Sequence, residues 1–165
     1  MPDRALLFDT VSISNFLLAQ AETLLVRLHP GKLFVPVEVY DEVSSGMTSF
    51  PRLKKLDSLL QKKAVKTVTL RLNESPEFQS LIGNLGTGEA ACIAMAGKRP
   101  FTVVTDDRAA RNECRSRSVA CTGTIGMLKS ACRKKIVDED EADALLVSMV
   151  RAGFYFPVKS ISSLL

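Results

Sequence analysis

The sequence predicts an α/β domain built on a central parallel sheet. Three observations predict it. Short, predominantly apolar runs, Ala5–Phe8, Leu33–Val35 and Phe101–Val104, have strand length. Longer amphipathic or apolar segments of helical length separate them. Asp9 and Asp106 stand at or just beyond the end of two of the runs. Strands that are apolar on both faces need helices on both faces, which parallel sheets with crossover helices provide.

Taken in chain order, Ala5–Phe8 is a buried strand and Val11–Leu28 a helix with a break near Ala21-Glu22. His29-Pro30-Gly31 is a turn. Leu33–Val35 is the second strand, and Val37–Val43 opens a helix that Ser44-Ser45-Gly46 ends. Phe50–Gln61 places Leu53, Leu56, Leu59 and Leu60 on one helical face. Val65–Leu70 is β-rich. The basic stretch that continues to Leu85 carries no clear element, and Leu81–Leu85 is a poor strand. Gly88–Ala96 is an apolar helix closed by Gly97, and Phe101–Val104 a strand that is apolar except for Thr102. A helix over Asp107–Arg117, a short strand over Val119–Cys121 and a helix over Ile125–Cys132 follow. The last helix is Asp138–Arg151, whose early acids suit the positive end of its dipole.

At 165 residues the chain fits a single domain, 1–165, with a sizeable core. Hydrophobic residues make up 46% and charged residues 24%, a globular balance. No apolar run approaches the roughly 18 residues of a membrane span. Met1-Pro2-Asp3-Arg4 leads into an apolar run too short for a signal peptide, so a cytoplasmic location is expected. Cys92, Cys114, Cys121 and Cys132 show no CxxC spacing and read as buried thiols rather than a disulfide or zinc site. The net charge of +4 permits a polyanionic partner without demanding one. Its distribution is uneven. Arg108, Arg111, Arg115, Arg117, Lys129, Arg133, Lys134 and Lys135 share their stretch with Glu113 as the only acid, and the acidic segment 138–143 follows.

In parallel sheets ligands bind at the carboxyl ends of the strands. Asp9 and Asp106, with Asp107 beside it, occupy that edge. Glu42 lies in the helix after the second strand, and Glu89 is the lone carboxylate in the first turn of an otherwise apolar helix. Converging carboxylates raise one another's pKa, and a divalent cation relieves the repulsion. Mg²⁺ and Mn²⁺ prefer oxygen ligands and can activate water and stabilise charge at a phosphodiester. Each residue also has a plainer reading. An Asp after a strand is often a turn or helix cap. Glu42 alone reads as a solvated helix residue, and Glu89 alone as favouring a helix N-terminus.

Other chemistries fit poorly. Gly86, Gly88 and Ala91 satisfy G-x-G-x-x-A, but no good strand precedes them and Glu89 would face the pyrophosphate. No Lys-Ser/Thr completes a P-loop. Val11 stands where a dehalogenase-like phosphoaspartate enzyme has its second Asp, and the acidic pair and lysine of a receiver domain are not clear. His29, the single histidine, sits in a turn without a Ser or Cys partner and reads as solvated. Arg108, Arg111 and Arg115 share one helical face and either hold RNA phosphates or pair with the segment 138–143. Aromatics are 6% of the chain, with no basic–aromatic interleaving for base stacking.

Taken in order, these motifs resemble the PIN-domain nucleases, especially a prokaryotic branch related to the VapC toxins of toxin–antitoxin pairs. Leu7-Phe8-Asp9-Thr10-Val11-Ser12-Ile13-Ser14-Asn15 resembles the first motif, an Asp with an Asn six residues on. Val35–Val43 resembles the second, with Glu42 as its functional acid. Gly86-Thr87-Gly88-Glu89-Ala90 is similar to the third, and Val104-Thr105-Asp106-Asp107-Arg108 to the fourth. Thr122–Leu128 and the tail Arg151-Ala152-Gly153-Phe154-Tyr155-Phe156 are similar to further stretches of the branch.

The resemblance implies a three-layer α/β/α fold and an Mg²⁺- or Mn²⁺-dependent endoribonuclease leaving 5′-phosphate and 3′-hydroxyl ends. It implies that Asp9, Glu42, Glu89 and Asp106 are catalytic metal ligands, that Asp107 is a further, variable one, and that Asn15 and Thr105 are supporting polar residues. It also implies an RNA substrate, frequent homodimers and, for a toxin, a cognate antitoxin. A non-catalytic module of the same fold that binds RNA or protein is the alternative.

Overall fold

A computed structural model describes residues 3–165; Met1 and Pro2 of the N-terminal segment lie outside it. The chain forms a three-layer α/β/α fold. Its five-stranded sheet has the order β3-β2-β1-β4-β5, and every pairing is parallel. The strands are β1 (Ala5–Phe8), β2 (Leu33–Pro36), β3 (Val65–Val68), β4 (Phe101–Val104) and β5 (Cys121–Thr122). β1 is central, with Leu6 opposite Leu33 of β2 and Phe8 opposite Val104 of β4. Leu6, Leu7 and Phe8 are buried, which is why this strand reads as an unbroken apolar run.

Nine α-helices occur among the described residues: α1 (Thr10–Leu18), α2 (Glu22–Leu28), α3 (Val37–Ser45), α4 (Lys55–Gln61), α5 (Ser75–Leu81), α6 (Thr87–Ala96), α7 (Arg108–Ser116), α8 (Thr124–Arg133) and α9 (Glu139–Arg151). The expected break near Ala21 divides α1 from α2. Gln20 turns there in the left-handed region (φ 57°) while buried Ala21 donates to the Phe16 carbonyl. The segment 50–61 starts with a 3-10 turn, Pro51–Lys54, because Pro51 lacks an N–H yet suits a first turn. The α6 residues Ala90 to Met95 are wholly covered, so its weak amphipathicity reflects burial on all sides. Among the described residues, no helix is long and apolar enough to cross a membrane.

Some expectations shift. The last strand is Cys121–Thr122, displaced from Val119–Cys121, because register with Val103 and Val104 decides it. The stretch 71–85 holds a 3-10 turn (Leu72–Glu74) and α5. Glu74 is fully buried there. It pairs with the Arg99 guanidinium through Oε1 (2.6 Å) and Oε2 (2.9 Å) and accepts from the Arg71 amide (2.8 Å). Arg99 also lies over the Phe101 ring (5.5 Å). His29 is not solvated: its side chain is 13% exposed and faces Asp3 at 3.8 Å.

The four cysteines are free, Cys92 and Cys114 being buried. Burial pushes the Cys114 thiol up to about 12. The acidic segment is spent on caps. Asp138 and Glu141 form a capping box on α9, and Asp143 accepts from the Ile161 and Ser162 amides, fastening the tail.

Candidate active site

The strand order reverses between β1 and β4, so their carboxyl ends flank the crevice where open parallel sheets bind ligands. Asp9, the first residue past β1, is 1% exposed, and its amide donates to Val104 of β4 at 3.1 Å. Its Oδ1 caps α1 by accepting from the Ser12 amide (2.8 Å). Its Oδ2 is buried and has no partner. Burial raises the Asp9 pKa, and the charge of Asp106 adds to that rise. Bonding at Ser12 opposes it, as does the nearby Thr105 hydroxyl, although no hydrogen bond from Thr105 to Oδ2 is formed. One turn along α1, the buried Asn15 also has an unpartnered oxygen, Oδ1.

Asp106 stands beyond β4 and is held from three directions. Its Oδ1 accepts from the Thr124 amide (2.8 Å), and its Oδ2 from the Thr124 hydroxyl (2.5 Å) and Asn15 Nδ2 (3.2 Å). It therefore caps α8 and locks α1 to it. A Cβ on Gly123 would fall 2.5 Å from Asp106 Oδ1, so only glycine permits this approach. Thr105 is fully buried and accepts from the Asp107 amide (3.2 Å). Asp107 caps α7 through the Ala110 amide (2.8 Å).

Glu42 reaches from α3 to α6, where its Oε1 accepts from the Gly88 amide at 2.7 Å. A Cβ on Gly88 would lie 2.9 Å from that oxygen, from Thr10 Oγ1 and from Val39 Cγ2. Glu89 accepts from the Gly86 amide through Oε2 (3.2 Å). It is pushed up to about 7 by burial first, then by the charges of Asp107, Asp9 and Glu42, against the Gly86 bond.

The five acids thus gather around the N-termini of α1, α6, α7 and α8. The positive helix ends offset part of their mutual repulsion. Among the described residues, no group of three or more His, Cys, Asp or Glu side chains is gathered tightly enough to hold a metal by itself. The donor set is nevertheless all oxygen, and unpartnered buried oxygens on Asp9 and Asn15 suit a hard cation. Such an ion keeps water or phosphate at its remaining positions.

Glu89, Asp106, Asp107 and Asn15 share a cleft of about 240 Å³ whose other wall is Val11 and Gly153 to Phe156. The aromatic tail at the site carries no signal of local spacing; a turn after α9, with Gly153 at φ 108°, brings it there. Thr124 was reachable as a Thr opening a helix after a glycine, a common cap pattern. Of the basic face, Arg111 turns inward and donates to the Thr105 carbonyl (3.1 Å), whereas Arg108 and Arg115 are exposed. The ion pairs of this region join Arg117 to Glu77 and to Glu113, rather than to the segment 138–143.

Against known proteins, the chain matches a family described as PIN domain over residues 5–165. No curated protein and no solved structure gives a match.

Proposed function

The chain belongs to the PIN-domain family, and on that premise we propose that it is a metal-dependent endoribonuclease. The fold is of nuclease type; RNA, the metal and a toxin role paired with an antitoxin in a homodimer are the finer part of the reading. The observation that carries it is Asp9: a carboxylate 1% exposed, with one oxygen unpartnered, at the sheet's switch point. Burying a charged acceptor without a partner is costly, and a cation repays that cost.

In this reading Asp9, Glu42, Glu89 and Asp107 would hold an Mg²⁺ or Mn²⁺ ion, Glu89 and Asp107 from the lining of the cleft and Asp9 from the buried sheet edge. Bound there, the ion would provide a nucleophile at neutral pH and neutralise charge at the phosphodiester. Asp106 has both oxygens engaged, so it first positions Asn15 and the start of α8 and offers only a remaining lone pair. Asn15, fixed through Nδ2, presents Oδ1. Glu89, with Oε2 tied to Gly86, keeps Oε1 to exchange a proton near neutral pH. Thr105 holds the Asp107 amide so that α7 begins beside the cleft.

One observation favours the second reading, a catalytically inactive RNA- or protein-binding module: each of the five carboxylates already accepts from a backbone amide at a helix start. Cleavage of varied RNAs in Mn²⁺ decides between them. The nuclease cuts and Asp9→Asn does not. Equal products from both proteins, or RNA retained without turnover, would count against the nuclease.

A further inference from the structure

The aromatic turn after α9 separates two hollows. On one side is the acidic cleft. On the other lies an apolar groove of about 400 Å³ formed by Leu146, Val147, Val150 and Val158, with Arg151 and Lys159 on its lining. Phe154, Tyr155 and Phe156 line both. The turn is fixed at each end. The Phe154 amide donates to Met149 (3.2 Å), and buried Ile161 is fastened through Asp143. Between those anchors Tyr155 is 89% exposed. With the exposed Val147 and Val150 of the same groove it forms a contiguous apolar surface, and such patches mark interaction sites.

We propose that Tyr155 is the base-stacking platform of this site. A single-stranded RNA would place a phosphate in the acidic cleft and stack the neighbouring base on the Tyr155 ring. The strand then crosses the ridge, with its next base over the apolar groove and the following phosphates near Arg151 and Lys159. The choice of RNA over a partner helix rests on continuity and charge: the same three residues wall the acidic cleft, and the groove's cations suit phosphates. A paired strand cannot offer an unstacked base, so the ridge selects single-stranded substrate. The inference rests on the nucleic-acid reading of the cleft, and it assigns Tyr155 a role in specificity.

The test separates binding from cleavage. Binding of a fluorescein-labelled oligouridine and of an RNA hairpin with a blunt stem and a compact stacked loop, which offers no unstacked base, is followed by anisotropy with the full chain in Ca²⁺. Stacking predicts that Tyr155→Ala weakens oligouridine binding about five- to a hundredfold. Tyr155→Phe stays within about twofold, and hairpin binding changes little. The chain has two tyrosines and no tryptophan, and the Tyr40 hydroxyl is bonded to Asp57 (2.7 Å). In Tyr40→Phe the only tyrosine emission is that of Tyr155, and oligouridine is expected to quench it.

Tyr155→Ala binding within twofold of wild type, equal loss for hairpin and single strand, or unquenched emission overturns the proposal. So does a dimer that Tyr155→Ala splits while RNA affinity holds, which would assign the ridge to a second copy. Stacking without cleavage in Mn²⁺ sinks the nuclease reading and leaves Tyr155 standing; cleavage with an unchanged KM in Tyr155→Ala does the reverse.

Discussion

Asp9→Asn should make the metal-free protein more stable. The side chain is 1% exposed and its Oδ2 has no partner, so the folded state carries a buried charged acceptor unmet. Relieving such a group is worth about 1–3 kcal/mol. Asparagine keeps an oxygen for the Ser12 amide, so the α1 cap survives, at a loss of about 0.3–1 kcal/mol in charge–dipole attraction. The net gain lies between about 0 and 2.7 kcal/mol, and its centre, about 1.4 kcal/mol, corresponds to about 3–6 °C in Tm for a domain of this size. The sign follows from linkage. Asp9 has a raised pKa in the fold, so its contribution is most favourable below the ordinary carboxylate range and is lost as pH rises through the folded value. The gain should therefore be present at pH 8 and vanish at pH 4. A hundredfold excess of Mn²⁺ over its Kd should stabilise wild type by about 2.7 kcal/mol and the variant far less. Scanning calorimetry with chelator and with Mn²⁺, at both pH values, measures all four quantities. A variant that melts at or below wild type in chelator at pH 8, or that gains as much from Mn²⁺, would refute the reasoning.

Glu89, at about 7, makes metal-free stability fall between roughly pH 4.5 and 7; its half-exposed position limits the fall to about 1 kcal/mol, and Glu89→Gln should flatten that window in urea titrations. Arg99→Ala leaves the fully buried Glu74 without its two guanidinium bonds and should cost about 3–5 kcal/mol in urea unfolding. Gly88→Ala forces a methyl to within 2.9 Å of Glu42 Oε1, Thr10 Oγ1 and Val39 Cγ2. It should cost about 1–3 kcal/mol by the same assay and weaken the Mn²⁺ shift by displacing Glu42.

The parts legible in the sequence are those written locally. β1 is a continuous apolar run and β4 is apolar except for Thr102, because both strands are covered on both faces, and Asp9 and Asp106 follow them at the sheet edge. Glu89 stood out because the rest of its helix is apolar. The 71–85 stretch gave no signal because its anchor, Glu74, is satisfied by Arg99, 25 residues later. The tail aromatics meet the cleft only through the turn at Gly153 and the Asp143 clasp. Their small number and spacing in the sequence do not mark the cleft wall that Phe154, Tyr155 and Phe156 form.

A helix cap and a metal ligand are compatible roles for one carboxylate, because a cap occupies only part of its accepting capacity. Burial favours proton uptake at Asp9 and Glu89, and positive charge nearby opposes it. Four helix N-termini supply part of that opposition permanently, through the Ser12, Gly88, Ala110 and Thr124 amides. The fold can therefore form before any cation arrives. Among the buried oxygens that the amides leave unmet are Asp9 Oδ2 and Asn15 Oδ1, and the raised pKa of Glu89 lies beside them. Asp9 caps α1, Asn15 lies within that helix and Glu89 is in the first turn of α6, so a cation drawn to these groups would sit between α1 and α6. Asp106, fully engaged with Thr124 and Asn15, instead sets the geometry that the remaining oxygens share.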